Sequence, residues 1–106
     1  MERMPLLAAP LLFAPFIALA QPVAGDASRG RTLAVQHCAS CHAVEAHPAP
    51  GAHTAASFLT IANMPSTTPM AIAAFLATPH PRMPNYKLSR DEIRDLSAYI
   101  MTLRQR

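Results

Sequence analysis

The sequence predicts an all-α domain of about four short helices joined by irregular loops. Three observations carry this expectation. Eleven prolines against three glycines cut the 106-residue chain into short stretches. No tract alternates apolar and polar residues for long enough to form a sheet, and apolar residues instead recur at helical spacing behind recognisable caps. The length holds one small domain with one core, which excludes a two-domain enzyme. Nine Lys and Arg against six Asp and Glu make the chain mildly basic. These charges are scattered rather than gathered in a run, so nucleic-acid binding has little support.

The stretch 1–20 opens with Arg3, continues through an apolar run from Met4 to Leu19, and closes on Ala18-Leu19-Ala20 before Gln21. This is the pattern of a secretory signal peptide, with cleavage expected after Ala20. Pro10 and Pro15 count against a membrane-spanning helix, because each removes a backbone donor, and the run is at the short end of the roughly 20 residues needed to cross a bilayer. The alternative is an uncleaved anchor, and membrane contact is expected only if the leader is retained. The mature domain is then 21–106.

Asp26 can cap a first helix that reaches to about Cys38, with Leu33 and His37 on one face. From Val44 to Thr54 the composition turns to Ala, Pro, Gly and His without a period, which predicts a loop wrapped around something. Ser57 starts a short helix that carries Phe58 and Ile61 and stops near Asn63. Another begins at Thr68 with Pro69 in its first position, turns Ile72, Phe75 and Leu76 to the core, and ends before Pro79. His80 to Lys87, interrupted by Pro81 and Pro84, is a loop. The last helix is the best specified: Ser89 and Glu92 make a capping box, and Leu88 and Ile93 take the positions of a hydrophobic staple. Ile93, Leu96, Ile100 and Leu103 form its apolar stripe, leaving Arg94, Asp95 and Arg104 to face water. With only Phe58, Phe75, Tyr86 and Tyr99 as aromatics after the leader, this core is thin, and a domain so small needs a staple.

Cys38-Ala39-Ser40-Cys41-His42 is a C-x-x-C-H sequence, the attachment signature of c-type haem. Two cysteines three residues apart lie on one face of a helical turn, so both sulfurs can reach the two vinyl groups of one porphyrin and form thioethers. The adjacent histidine falls beneath the ring and faces the iron. Its second ring nitrogen is then free to donate to a backbone carbonyl, which holds its orientation. In an oxidising compartment a C-x-x-C pair would otherwise close to a disulfide. A thioredoxin-like pair would sit beside a strand-helix-strand pattern, which is missing, and structural zinc would need four ligands. One covalent haem c per chain, bound through Cys38, Cys41 and His42, is the expectation.

With that motif the mature chain resembles the class I c-type cytochromes, and the likeness covers nearly all of it. Gly30 stands eight residues before Cys38, where the family uses a glycine so that its first and last helices can cross closely, and Tyr99 resembles the aromatic that packs on it. Met83-Pro84-Asn85-Tyr86-Lys87-Leu88-Ser89, followed by Glu92-Ile93 and Asp95-Leu96, resembles the stretch from the distal ligand into the final helix. The resemblance implies a cytochrome c fold wrapped around the haem, with Met83 as the sixth iron ligand. A thioether is a soft, uncharged donor that holds iron in both oxidation states, and Met/His ligation raises the potential. Met64, Met70 and Met101 fit better as gap-fillers, Met64 being the strongest rival. His37, His47, His53 and His80 read as surface or loop residues. The sequence departs from the family in two places. Ala34 stands where an aromatic is common, predicting rearranged or looser packing, and Ala56 stands where a proline usually offers its carbonyl to the haem histidine.

Iron held from both sides has no vacant position for a substrate, so the expected role is a periplasmic, monomeric single-electron carrier between redox proteins, without enzymatic activity or a small-molecule substrate. Arg82 and Lys87 bracket the distal loop, where they can steer an acidic partner or simply be solvated. Two other readings remain at this point: the haem-bearing subunit of a larger oxidoreductase, and a haem peroxidase or gas sensor in which Met83 dissociates.

Overall fold

The first helix, α1, spans Ala27–His37 in the computed structural model, which describes residues 1–18, 24–48, 51 and 53–105. It begins where Asp26, in extended backbone, accepts the Arg29 amide on its carboxylate at 3.1 Å, so one of the free donors of the first turn is satisfied. Three further helices follow: α2, Phe58–Asn63; α3, Pro69–Leu76; and α4, Arg90–Thr102. Ser57 and Thr68 cap α2 and α3 through their hydroxyls, and Pro69 occupies the first turn of α3, where its missing donor costs nothing. Ser89 and Glu92 complete a reciprocal capping box at the start of α4. Among the described residues there is no strand, and the one β-bridge joins His80 to Met83. The fold is all-α, as expected.

The centre of the fold is the crossing of α1 over α4. A Cβ on Gly30 would sit 2.0 Å from the Asp95 carbonyl oxygen and 2.8 Å from Tyr99 Cβ, so only glycine admits this approach. Gly25 lies as tightly against Arg94, where a Cβ would meet the carbonyl oxygen at 2.1 Å. The expectation that Asp95 faces water is wrong: it is buried, and its Oδ1 accepts the Asp26 amide at 2.7 Å. The physical reason is position. Asp95 and Tyr99 are four residues apart on the face of α4 that meets α1, and a carboxylate there is favoured by the free amides and positive end of α1. Arg104 is exposed but not merely solvated, since its guanidinium donates to the Thr67 carbonyl at 2.9 Å. Arg94 is exposed and pairs with Asp91 at 3.3 Å.

Ala34 is fully buried at 0 % exposure within the core cluster of Phe58, Ile72, Leu96, Tyr99 and Ile100. The small side chain at this position is thus fully shielded from water. The C-terminus is tied to α2, where Asn63 donates to the Leu103 carbonyl at 3.3 Å and accepts the Gln105 amide at 2.8 Å.

Residues 1–18 carry no helix, and Leu6, Leu7, Leu11, Leu12, Phe13 and Phe16 are exposed, so they add nothing to this core. No helix among the described residues is long and apolar enough to cross a membrane. The expected cleavage point after Ala20 lies outside the described residues.

Candidate haem-binding site

Cys38 follows directly on α1, and its amide donates to the Ala34 carbonyl at 2.8 Å. The chain then makes one more turn: the Cys41 and His42 amides both donate to the Cys38 carbonyl, at 3.2 and 2.9 Å. Cys38, Cys41 and His42 are thereby grouped on a single turn at the C-terminal end of the helix that Gly30 locks against α4. Neither thiol is in a disulfide. Cys38 is nearly buried, and burial pushes its thiol pKa up, which disfavours the thiolate.

The segment leading into α2 braces this turn. The Ala55 amide donates to the Cys41 carbonyl at 3.0 Å, and the Phe58 amide to the Ala43 carbonyl at 2.8 Å. His42 Nδ1 donates to the Ala56 carbonyl at 2.6 Å, with the Phe58 ring 5.3 Å away at a tilt of 52°. The carbonyl of Ala56 thus serves without proline. With Nδ1 engaged, Nε2 is the nitrogen left for a metal. Farther along, the buried Tyr99 hydroxyl donates to the Val44 carbonyl, and Arg31 grips Glu45 through two contacts of 2.7 and 3.1 Å. That pair holds the loop after the motif against α1, and the Glu45 carboxylate raises the Arg31 pKa further.

His42 and Cys38 open onto a cavity of about 350 Å³ walled by Phe58, Ile61, Ile72, Phe75, Leu76, Leu96 and Ile100, with Met64 and Met83 also on its lining. A wider cleft of about 680 Å³ adjoins it, and there Cys38, Cys41, His42 and Met83 all appear together with Tyr86 and His80. The four residues singled out in the sequence are therefore brought to one cleft. Of the other methionines, Met70 is exposed on α3 and Met101 packs against the core, while Met64 does reach the cavity wall. His47 and His53 are exposed. His80 Nε2 donates to the Phe75 carbonyl at 3.1 Å, and the two rings stack at 3.6 Å. Phe75, expected to face inward with Ile72 and Leu76, walls the cavity together with them and also stacks on His80. Sequence reasoning missed this stack and the packing of His37 on Tyr86 at 4.9 Å, because neither pair leaves a periodic signal.

Two unpaired thiols on one turn, an imidazole with one nitrogen already engaged, an apolar cavity and a thioether on its lining fit a covalently attached haem. The family model described as cytochrome c matches residues 27–104. The chain belongs to the cytochrome c family. It is also 43 % identical over 82 residues to cytochrome c-552 of Bradyrhizobium diazoefficiens, an alignment covering 77 % of this chain and 79 % of that protein. No solved structure matched the chain. As a c-type cytochrome it carries covalently bound haem c with its iron, transfers electrons, and has redox proteins as partners.

Proposed function

We propose that this cytochrome is an exported, monomeric, single-electron carrier of the periplasm, with haem c attached through Cys38 and Cys41 and its iron held between His42 and Met83. The observation that carries this reading is that His42 and Met83 line the same apolar cavity, while His42 Nδ1 is engaged by the Ala56 carbonyl. The haem supplies a one-electron couple, and the protein's residues hold it, fix its orientation and keep water away. His42 is held in one tautomer by Ala56, and Phe58, Ile72, Leu96 and Ile100 present an apolar wall. Met83 adds a soft, uncharged donor that favours the reduced state and raises the potential. With the iron held by both His42 and Met83, a substrate would find no open position on it, which supports a carrier over an enzyme.

The pattern of residues 1–20 supports export, with cleavage after Ala20. Intact-mass measurement tests it, and a mature protein that still includes Met1 to Ala20 would be an anchored form instead.

The ligand assignment is tested by near-infrared absorption of the ferric holoprotein. The weak band of methionine-ligated ferric haem is expected at neutral pH, retained in Met64→Leu and lost in Met83→Ala. A wild-type spectrum without the band, or a band that disappears with Met64 and survives loss of Met83, refutes the assignment.

A further inference from the structure

Met83 lies at the middle of a loop that is fastened on both sides by an imidazole-aromatic pair. Three residues before it, His80 stacks on Phe75 of α3 with ring centroids 3.6 Å apart and planes within 13°, and His80 Nε2 donates to the Phe75 carbonyl at 3.1 Å. Three residues after it, Tyr86 packs on His37 in the last turn of α1, at 4.9 Å and a tilt of 39°. Between the two, His80 and Met83 are bridged through their backbones, and the Tyr86 amide donates to the Pro84 carbonyl at 3.0 Å. Pro81 and Pro84 further restrict the segment. A thioether accepts hydrogen bonds only weakly, so the Met83 side chain has little of its own to hold it in place. The backbone on either side therefore carries much of its placement.

We infer that His80 and Tyr86 are positioning residues that clamp the Met83 loop to α3 and α1, and so set how readily an outside nitrogen donor displaces Met83. The inference rests on the reading of Met83 as an axial ligand. Displacement moves the loop away, and whatever stabilises the closed loop opposes it in proportion. An aromatic pair contributes enough to shift such an equilibrium about two- to tenfold. The His80 Nε2 hydrogen bond adds a factor of similar size.

The test is an imidazole titration of the full-length ferric holoprotein, followed by the change in the haem spectrum. Tyr86→Ala is expected to tighten imidazole binding about two- to tenfold, and His80→Ala by more, since it loses both the stack and the hydrogen bond. Tyr86→Phe keeps the ring and is expected to match wild type. His80→Phe keeps a stack without the donor and should fall between wild type and His80→Ala, which also guards against an alanine variant that folds poorly. Asn63→Ala, which frees the C-terminus from α2, lowers stability without touching the loop and should leave imidazole affinity unchanged. Unchanged affinity in Tyr86→Ala, His80→Ala and His80→Phe, with Met83→Ala binding imidazole far more tightly, overturns the clamp alone. If Met83→Ala binds imidazole no better than wild type, the axial assignment fails and the clamp fails with it.

Discussion

Replacing Gly30 with alanine tests the crossing on which the site depends. The new Cβ would lie 2.0 Å from the Asp95 carbonyl oxygen, 2.6 Å from the Asp95 carbonyl carbon and 2.8 Å from Tyr99 Cβ. Two of these are backbone atoms of α4, so no side-chain rotation relieves the overlap and the helices must part by about 1 Å or more to reach ordinary contact. Overpacking of this kind costs about 1–3 kcal/mol. Parting the helices also stretches the bond from the Asp26 amide to the buried Asp95 carboxylate, a hydrogen bond to a charged group, for about 1.5–3 kcal/mol more. Alanine is the better helix former by about 1 kcal/mol, which offsets part of the loss. A net destabilisation of about 2–5 kcal/mol follows, or roughly 10–30 °C in Tm for a domain of this size. Thermal and denaturant unfolding of the holoprotein measure it. Stability within about 0.5 kcal/mol of wild type would refute the reasoning, because this geometry cannot accept a methyl group without displacement.

The remaining predictions concern the caps, the buried tyrosine and the cofactor. Ser89→Ala is expected to cost about 1 kcal/mol, read by denaturant unfolding, because the Glu92 amide loses its acceptor at 3.1 Å. Burial, aided by the Glu45 carboxylate, raises the pKa of the Tyr99 phenol above its ordinary 10.0, so the folded protein holds this proton more tightly than the unfolded chain. Stability from this group is complete below about pH 10 and falls as pH rises beyond it, and a Tyr99→Phe variant should lose that part of the alkaline slope. The same substitution costs about 1 kcal/mol at neutral pH, since the Val44 carbonyl is left without its donor. Haem-free chain is expected to be largely unfolded by far-ultraviolet circular dichroism, because the apolar wall of the cleft then has nothing to pack on. Cooperative, native-like melting of the haem-free chain would contradict this.

The features that could be read from the sequence are those with local causes. Asp26, Ser57, Thr68 and Ser89 each cap the helix they were expected to start, because a side-chain oxygen reaching an amide two or three residues on is a short-range interaction. The motif Cys38 to His42 was equally local. What escaped were pairings between distant segments. Asp95 looked like a solvated charge in an amphipathic helix, and nothing in its neighbours reveals that it serves an amide 69 residues away. Phe75 follows the helical period of Ile72 and Leu76 and walls the cavity with them, but nothing in that period reveals its stack on His80. The resemblance to the family supplied Gly30 and Tyr99, which spacing alone would have left as an ordinary small residue and an ordinary aromatic.

One helix sets both the frame and the pocket. Asp95 and Tyr99 sit four residues apart on α4 and meet α1 at Gly30, while Leu96 and Ile100, each one position later and so rotated by about 100° around the helix, line the cavity. The α1 crossing and the part of the cavity wall formed by Leu96 and Ile100 are therefore carried on one helix. Cys38 is carried on the far end of α1, eight residues after Gly30, so the crossing also fixes the distance from the attachment turn to the wall that must receive the porphyrin. A defect at Gly30 would move the cysteines relative to Leu96 and Ile100 together, disturbing haem packing as well as stability. A defect confined to the cavity, such as Leu96→Ala, would leave the Asp26–Asp95 tie in place and act on packing alone, at about 2–5 kcal/mol for a buried leucine. Asp95, which meets Gly30, and Leu96, which lines the cavity, are neighbours on α4 one residue out of phase, and that phase is what joins an electron-transfer site to the fold that holds it.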